Sequence, residues 1–169
     1  MNTGPTDSTA AVRILTTGGT IDKVYFDANS QFQVGEPQIA ELLEEANVTL
    51  PTVIEPVLRK DSLELTAADR ALIRDRVSAA GERHIVVTHG TDTLVETGRT
   101  LTDIGGKCIV LVGAMQPARL KFSDAQFNIG FALAAVQLLP DGVWVAMNGR
   151  IFDVTAVHKN REAMRFEAD

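Results

Sequence analysis

The stretch VRILTTGGT, residues 12–20, decides the fold. Its first half, Val12-Arg13-Ile14-Leu15-Thr16, has the β-branched and aliphatic composition of a strand. It leads straight into Thr17 and the pair Gly18-Gly19, which opens backbone conformations closed to other residues. Working outward, comparable apolar runs lie at 53–58, 84–88, 108–112 and 143–147. Each is nearly continuous, as expected of strands covered on both faces. Helical spacing fills the gaps. Ile39, Leu42, Leu43 and Ala46 share one face of 37–46, with Glu36 and Pro37 suited to its start. Thr66 and Asp69 read as a capping pair opening a helix through Leu72, Ile73 and Val77 to Gly81. Residues 94–104 and 124–139 complete the set, the latter with Ser123 as N-cap and Pro140 just beyond. This alternation predicts an α/β fold, a three-layer sandwich on a mostly parallel sheet.

The chain of 169 residues is the size of one ordinary domain. Residues 1–11, polar and rich in Thr, Ser, Gly and Pro, are expected to be a flexible N-terminus, and 12–169 a single domain. A net charge of -6 without a basic stripe excludes a nucleic-acid surface. The apolar runs stop well short of membrane-spanning length, and the first residues lack a signal peptide's charged head and apolar stretch, so a soluble, cytoplasmic protein is expected. Cys108, alone and inside an apolar run, reads as a buried small hydrophobe. Neither a metal nor a cofactor is expected. After Asn148-Gly149 the chain ends in a charged tail, 159–169, to which no conformation is assigned.

In open α/β sheets ligands collect beyond the carboxyl ends of the strands, where loops converge and helix N-termini point their amides. Three hydroxyl-bearing segments fall there: Thr16 to Thr20, Asp61-Ser62, and Thr88 to Thr93. Taken alone, Gly18-Gly19 is a tight turn or a phosphate cradle, and no Walker lysine favours the cradle. Taken alone, Asp92 or Thr93 is as much a helix cap as a functional group. His89 reads as a turn-supporting histidine and is assigned no catalytic role.

Together these segments resemble the signatures of the bacterial-type L-asparaginase family. Residues 14–21, Ile-Leu-Thr-Thr-Gly-Gly-Thr-Ile, are similar to its first signature, and 89–93, His-Gly-Thr-Asp-Thr, to its second. The resemblance extends through residues 113–117 and 124–130 to Lys159 in His-Lys-Asn. It covers the N-terminal domain of longer members, so the chain looks like a short-chain form without their C-terminal domain.

The resemblance implies hydrolysis of L-asparagine to L-aspartate and ammonia through an acyl-enzyme, with no cofactor. Thr17 matches the family nucleophile, and Thr91 the second threonine, which would position water. Asp92 and Lys159 complete the proton-handling set. For substrate binding it points to Ser62 and Asp61, to Gly18, and to Thr91 and Asp92, the last facing the α-ammonium. Leu63 stands where longer relatives often carry a glutamine. Tyr25, in the long segment 22–36, would act as a lid tyrosine that hydrogen-bonds the nucleophile when closed. Asp124 is expected to cap its helix, and Arg119 and Lys121 to form salt bridges or a subunit surface. A homo-oligomer, dimer or tetramer, is expected as well. The alternatives are an amidohydrolase for glutamine, a D-amino acid or another amide, and a module that senses amino acids without turnover.

Overall fold

The computed structural model describes residues 11–26 and 31–169. In chain order its elements are β1 (Val12–Gly18), β2 (Lys23–Phe26), β3 (Gln31–Val34), α1 (Ile39–Glu45), β4 (Thr52–Lys60), α2 (Ala67–Ala79), β5 (His84–Thr88), α3 (Leu94–Arg99), β6 (Cys108–Val112), α4 (Ala125–Leu138), β7 (Gly142–Met147), β8 (Arg150–Asp153), β9 (Val157–Asn160) and β10 (Arg165–Ala168). The main sheet runs β4-β1-β5-β6-β7-β8. All its pairings are parallel except β7 with β8. The three-layer α/β sandwich expected from the runs of Val, Ile and Leu is therefore the fold.

Those runs are continuous because the sheet is covered on both faces. Ile14, Leu15, Ile85, Val87, Ile109 and Leu111 are wholly buried, and each contributes about 1.5–3 kcal/mol of transfer free energy. Cys108 is buried among them as a free thiol, and burial pushes its pKa up to about 11. Arg13 breaks β1's apolar run by pairing with Glu82 and Glu55, both at 2.7 Å.

Taken in chain order, the parallel strands have the arrangement 2-1-3-4-5, with the direction of winding reversing between β1 and β5. That reversal leaves a crevice beyond their carboxyl ends, the place where such sheets bind ligands. The helices divide two and two between the faces. Arg70 and Arg74 of α2 bond to Glu96 of α3 and to Thr100 and Asp103 just beyond it, so these two helices share a face. Leu42, Leu43 and Ala46, of α1 and its end, line a small hollow with Ile129 and Leu133 of α4, so those two share the other. The β6–α4–β7 connection consequently has the opposite hand to the other three. Since βαβ crossovers are right-handed almost without exception, this is the left-handed one. It carries residues 113–124 back across the crevice, where Ala118 N donates to Ile21 O and Arg119 Nε to Gln38 Oε1.

The structure adds two strand pairs to that reading and shortens one helix. The tail 159–169, to which the sequence assigns no conformation, forms from Val157 on the antiparallel pair β9–β10, with Phe166 buried beneath it. The segment 22–36 contains another antiparallel pair, β2–β3. The helix expected over 94–104 ends at Arg99 and relaxes into turns. The N-terminus, apart from Ala11, lies outside the described residues. No described helix is long and apolar enough to cross a membrane.

Candidate active site

Three strand ends meet at the crevice through glycine. Gly18 and Gly19 have φ of 96° and 89°, backbone that other residues rarely adopt. A Cβ on Gly19 would stand 2.4 Å from Gly90 N, and one on Gly90 would stand 2.6 Å from Ser62 Oγ. The turns after β1 and β5 therefore touch main chain to main chain, and the Ser62 side chain after β4 packs directly on Gly90. Thr93 Oγ1 donating to Ser62 O at 2.8 Å and Gly19 N donating to Lys60 O at 3.0 Å tie them further.

Thr17 is buried at the end of β1, and its hydroxyl donates to Thr88 O on β5 at 2.8 Å. Thr91 lies three residues beyond Thr88 and is 6% exposed. Lys159 reaches it from β9. Its Nζ donates to Thr91 Oγ1 at 2.7 Å and to Asp92 Oδ1 at 2.8 Å. The lysine side chain is only 10% exposed, whereas Asp92 is 34% exposed and also faces Arg161 at 3.9 Å. Thr91, Asp92 and Lys159 are thus brought into contact, and Thr17 is tied through its hydroxyl to Thr88, three residues before Thr91. Ser62 is buried beside them.

Asp61 and Tyr25 are placed differently from expectation. The Asp61 carboxylate pairs with Lys23 Nζ at 2.8 Å and accepts Leu63 N at 3.1 Å. Partial burial opposes its charge, but Lys23 and the Leu63 amide hold its pKa below the usual carboxylate value. Its oxygens are occupied in shaping the turn that carries Ser62, so Asp61 shapes the site rather than facing a substrate. Leu63 points to solvent, 65% exposed. Tyr25 is half exposed and packs edge-on against Phe32 with ring centroids 5.5 Å apart. The Thr17 hydroxyl is bonded to the Thr88 carbonyl, not to Tyr25.

His89 is fully buried, and burial pushes its pKa down to about 4. Its neighbours define the neutral tautomer. Nδ1–H donates to Gly90 O at 2.7 Å, and Nε2 accepts from the Thr97 hydroxyl at 2.8 Å. It fixes the turn carrying Thr91 and has no free nitrogen for catalysis. Arg119 and Lys121 lie away from the threonines, along a groove of about 500 Å³ that also involves Gln38 and Glu41. Arg119 approaches Glu41 at 3.8 Å, and Lys121 lies over the Phe122 ring. Among the described residues no cluster of metal ligands occurs.

The sequence reading missed Met115 and Asn128 and misplaced Asp124. Asp124 makes no capping bond to α4; its carboxylate accepts the amides of Met115 and Gln116. Ser123, as expected, accepts Ala125 N at the helix start. The Met115 sulfur in turn receives the Thr91 hydroxyl at 3.8 Å.

Thr91, Asp92 and Lys159 thus converge at the switch crevice of a doubly wound sheet, next to the strand end that carries Thr17. The family described as "Asparaginase, N-terminal" matches residues 11–168, and the chain belongs to it. It is 33% identical over 164 residues to the "Probable L-asparaginase periplasmic" of Haemophilus influenzae, covering 88% of this chain and 46% of that protein. To the "Glutaminase-asparaginase" of Acinetobacter glutaminasificans it is 33% identical over 132 residues, 73% of this chain and 38% of the relative. The structure of the thermostable L-asparaginase from Thermococcus kodakarensis superposes with a TM-score of 0.80 at 26% identity, covering 94% of this chain and 51% of that one. The chain therefore spans about half the length, or less, of these relatives.

Proposed function

We propose that the protein hydrolyses the side-chain amide of L-asparagine to L-aspartate and ammonia. The observation that carries this reading is Lys159 Nζ bridging Thr91 Oγ1 and Asp92 Oδ1 beside the turn that bears Thr17. In the first half-reaction the Thr17 oxygen attacks the amide carbon, its proton passes to the departing nitrogen, and the C–N bond breaks to give ammonia and an ester on Thr17. In the second, water held by Thr91 attacks that ester, and its proton is relayed through Thr91 and the Lys159 ammonium to the Asp92 carboxylate, each group passing one proton on as it receives one. The Thr17–acyl bond then breaks, Thr17 is reprotonated, and aspartate leaves. Asp92, the most solvated member, faces the substrate α-ammonium. Ser62 and the amides around Gly18 face the α-carboxylate, so that neither charge is left unpaired on leaving water.

Glutamine fits the same chemistry with one more methylene, which a pocket discriminates only modestly. The relative named glutaminase-asparaginase supports testing both amides. A homo-oligomer, dimer or tetramer, in the cytoplasm is proposed as the working form. Ammonia release from asparagine by the purified chain, abolished in Thr17→Ala and in Thr91→Ala, is the expected result. Binding of asparagine without ammonia release overturns it in favour of a sensing module, and faster release from another amide reassigns the substrate. Sedimentation velocity reads the oligomeric state.

A further inference from the structure

The left-handed crossover delivers the N-terminus of α4 to the wall of the site. There the Asp124 carboxylate accepts Met115 N at 3.0 Å on each oxygen, Gln116 N at 3.0 Å and Asn128 Nδ2 at 2.8 Å. Asn128, itself buried, also donates to Gly113 O at 3.0 Å. Two side chains of one helix thus pin residues 113–116 as a unit. That unit backs onto Thr91. A Cβ on Gly113 would lie 3.1 Å from Thr91 Cγ2, and Met115 Sδ receives the Thr91 hydroxyl. An ammonium only donates. When Lys159 donates to Thr91 Oγ1, the hydroxyl's own hydrogen must point elsewhere, and the sulfur is the acceptor in reach. A thioether accepts weakly, so it aims the proton without holding it against a reacting partner.

We propose that Asp124 is a positioning residue of this site: by fixing the Met115 amide it holds the Met115 sulfur against Thr91 and so sets the direction of the Thr91 hydroxyl proton. The kinetic consequence rests on the hydrolytic reading above, whereas the placement itself does not. Asp124→Asn replaces one accepting oxygen with an NH2 group facing amide donors, which releases the unit. Met115→Leu removes the acceptor while leaving the unit pinned.

The test is a double-mutant cycle on the full chain with asparagine, read alongside NMR of protein labelled with 13C-methyl methionine. Asp124→Asn lowers kcat about tenfold, the size of one lost hydrogen bond to a charged group, with KM changed less than about twofold. Met115→Leu lowers kcat by about threefold, the size of a weaker neutral contact. The double variant is no worse than Asp124→Asn, because a released sulfur has nothing left to lose. Multiplying losses overturn the proposal. In Asp124→Asn the Met115 methyl resonance shifts, while that of Met164, exposed in the turn between β9 and β10, stays in place. An unmoved Met115 overturns the proposal whether or not asparagine is turned over. A wild-type chain that releases no ammonia sinks the hydrolytic reading alone, and the NMR result then decides the placement. Should Asp124→Asn fail to fold, Met115→Leu with wild-type kcat overturns the proposal.

Discussion

Lys159 Nζ meets Thr91 Oγ1 at 2.7 Å across 68 residues of chain, and the contact exists because β9 pairs with β10 and turns the lysine inward. Lys159→Met is expected to lower ammonia release on the order of 100-fold, the usual scale for a lost proton-transfer group. Folding stability should fall by only about 1 kcal/mol, because Asp92 keeps its contact with water and faces Arg161. Kinetics paired with urea melts separate the two effects; equal loss of both would reduce the lysine to a structural strut.

The meeting of Gly19 with Gly90 leaves no room for a methyl group. Gly19→Ala combines φ of 89° with a Cβ 2.4 Å from a main-chain nitrogen, so a loss of about 2–4 kcal/mol is expected. Gly81→Ala is the control, since its added Cβ meets nothing within 4 Å. It should be neutral or stabilising by about 0.5 kcal/mol. Denaturation midpoints of the two variants check this ordering.

Two buried groups act on stability with opposite signs. Burial pushes the Asp22 carboxyl up to about 6, against the opposing pull of the Gln38 amide and Arg59, and pushes His89 down to about 4. Between pH 4 and 6 the folded chain keeps the Asp22 proton that the unfolded chain has lost, so this term weakens the fold as pH rises. From pH 4 to 6.5 the unfolded chain holds the His89 proton that the folded chain rejects, so this term strengthens it. Each is worth on the order of 3 kcal/mol, and in the wild type they largely cancel. Unfolding free energies measured across pH 4 to 7 should rise with pH in Asp22→Asn and fall in His89→Gln. Parallel profiles for the two variants would contradict this balance.

Tyr25 packs edge-on against Phe32 with half its surface in water. Tyr25→Phe is therefore expected to change kcat by less than about twofold, as for an ordinary surface substitution. A much larger loss would mean that the β2–β3 pair moves to Thr17 during turnover.

Continuous apolar runs made β1, β5, β6 and β7 legible, because strands covered on both faces leave that trace in composition alone. Thr66 and Asp69 form the capping box that their spacing announced. The β9–β10 pair was not legible. Its strands are short, and Lys159, His158 and Arg165 are charged or titratable residues whose pairing depends on what lies beneath. Of the candidate site, Thr17, Thr91, Asp92 and Lys159 are picked out by the family resemblance, since their local patterns alone read equally well as a turn, a helix cap and a tail lysine. Asp124 looked like a helix cap, since residue type and position suit one; only the path of residues 113–124 shows that its oxygens face Met115 and Gln116. Asp61 was misread for a similar reason, because Lys23 comes from a strand pair that no pattern in 22–36 revealed.

The reversed hand of the β6–α4–β7 connection bears on the order in which the molecule assembles. The bond from Arg119 to Gln38 closes 81 residues of chain, and contacts of such separation form only after their loop entropy has been overcome. Thr17 and Thr88 need only neighbouring strands, whereas the backing of Thr91 needs α4 docked on the face opposite to α3. A chain caught in refolding before that docking would hold a formed β1–β5 sheet and still lack a working hydroxyl. Recovery of ammonia release should therefore lag behind recovery of secondary structure, by the time α4 takes to find its place.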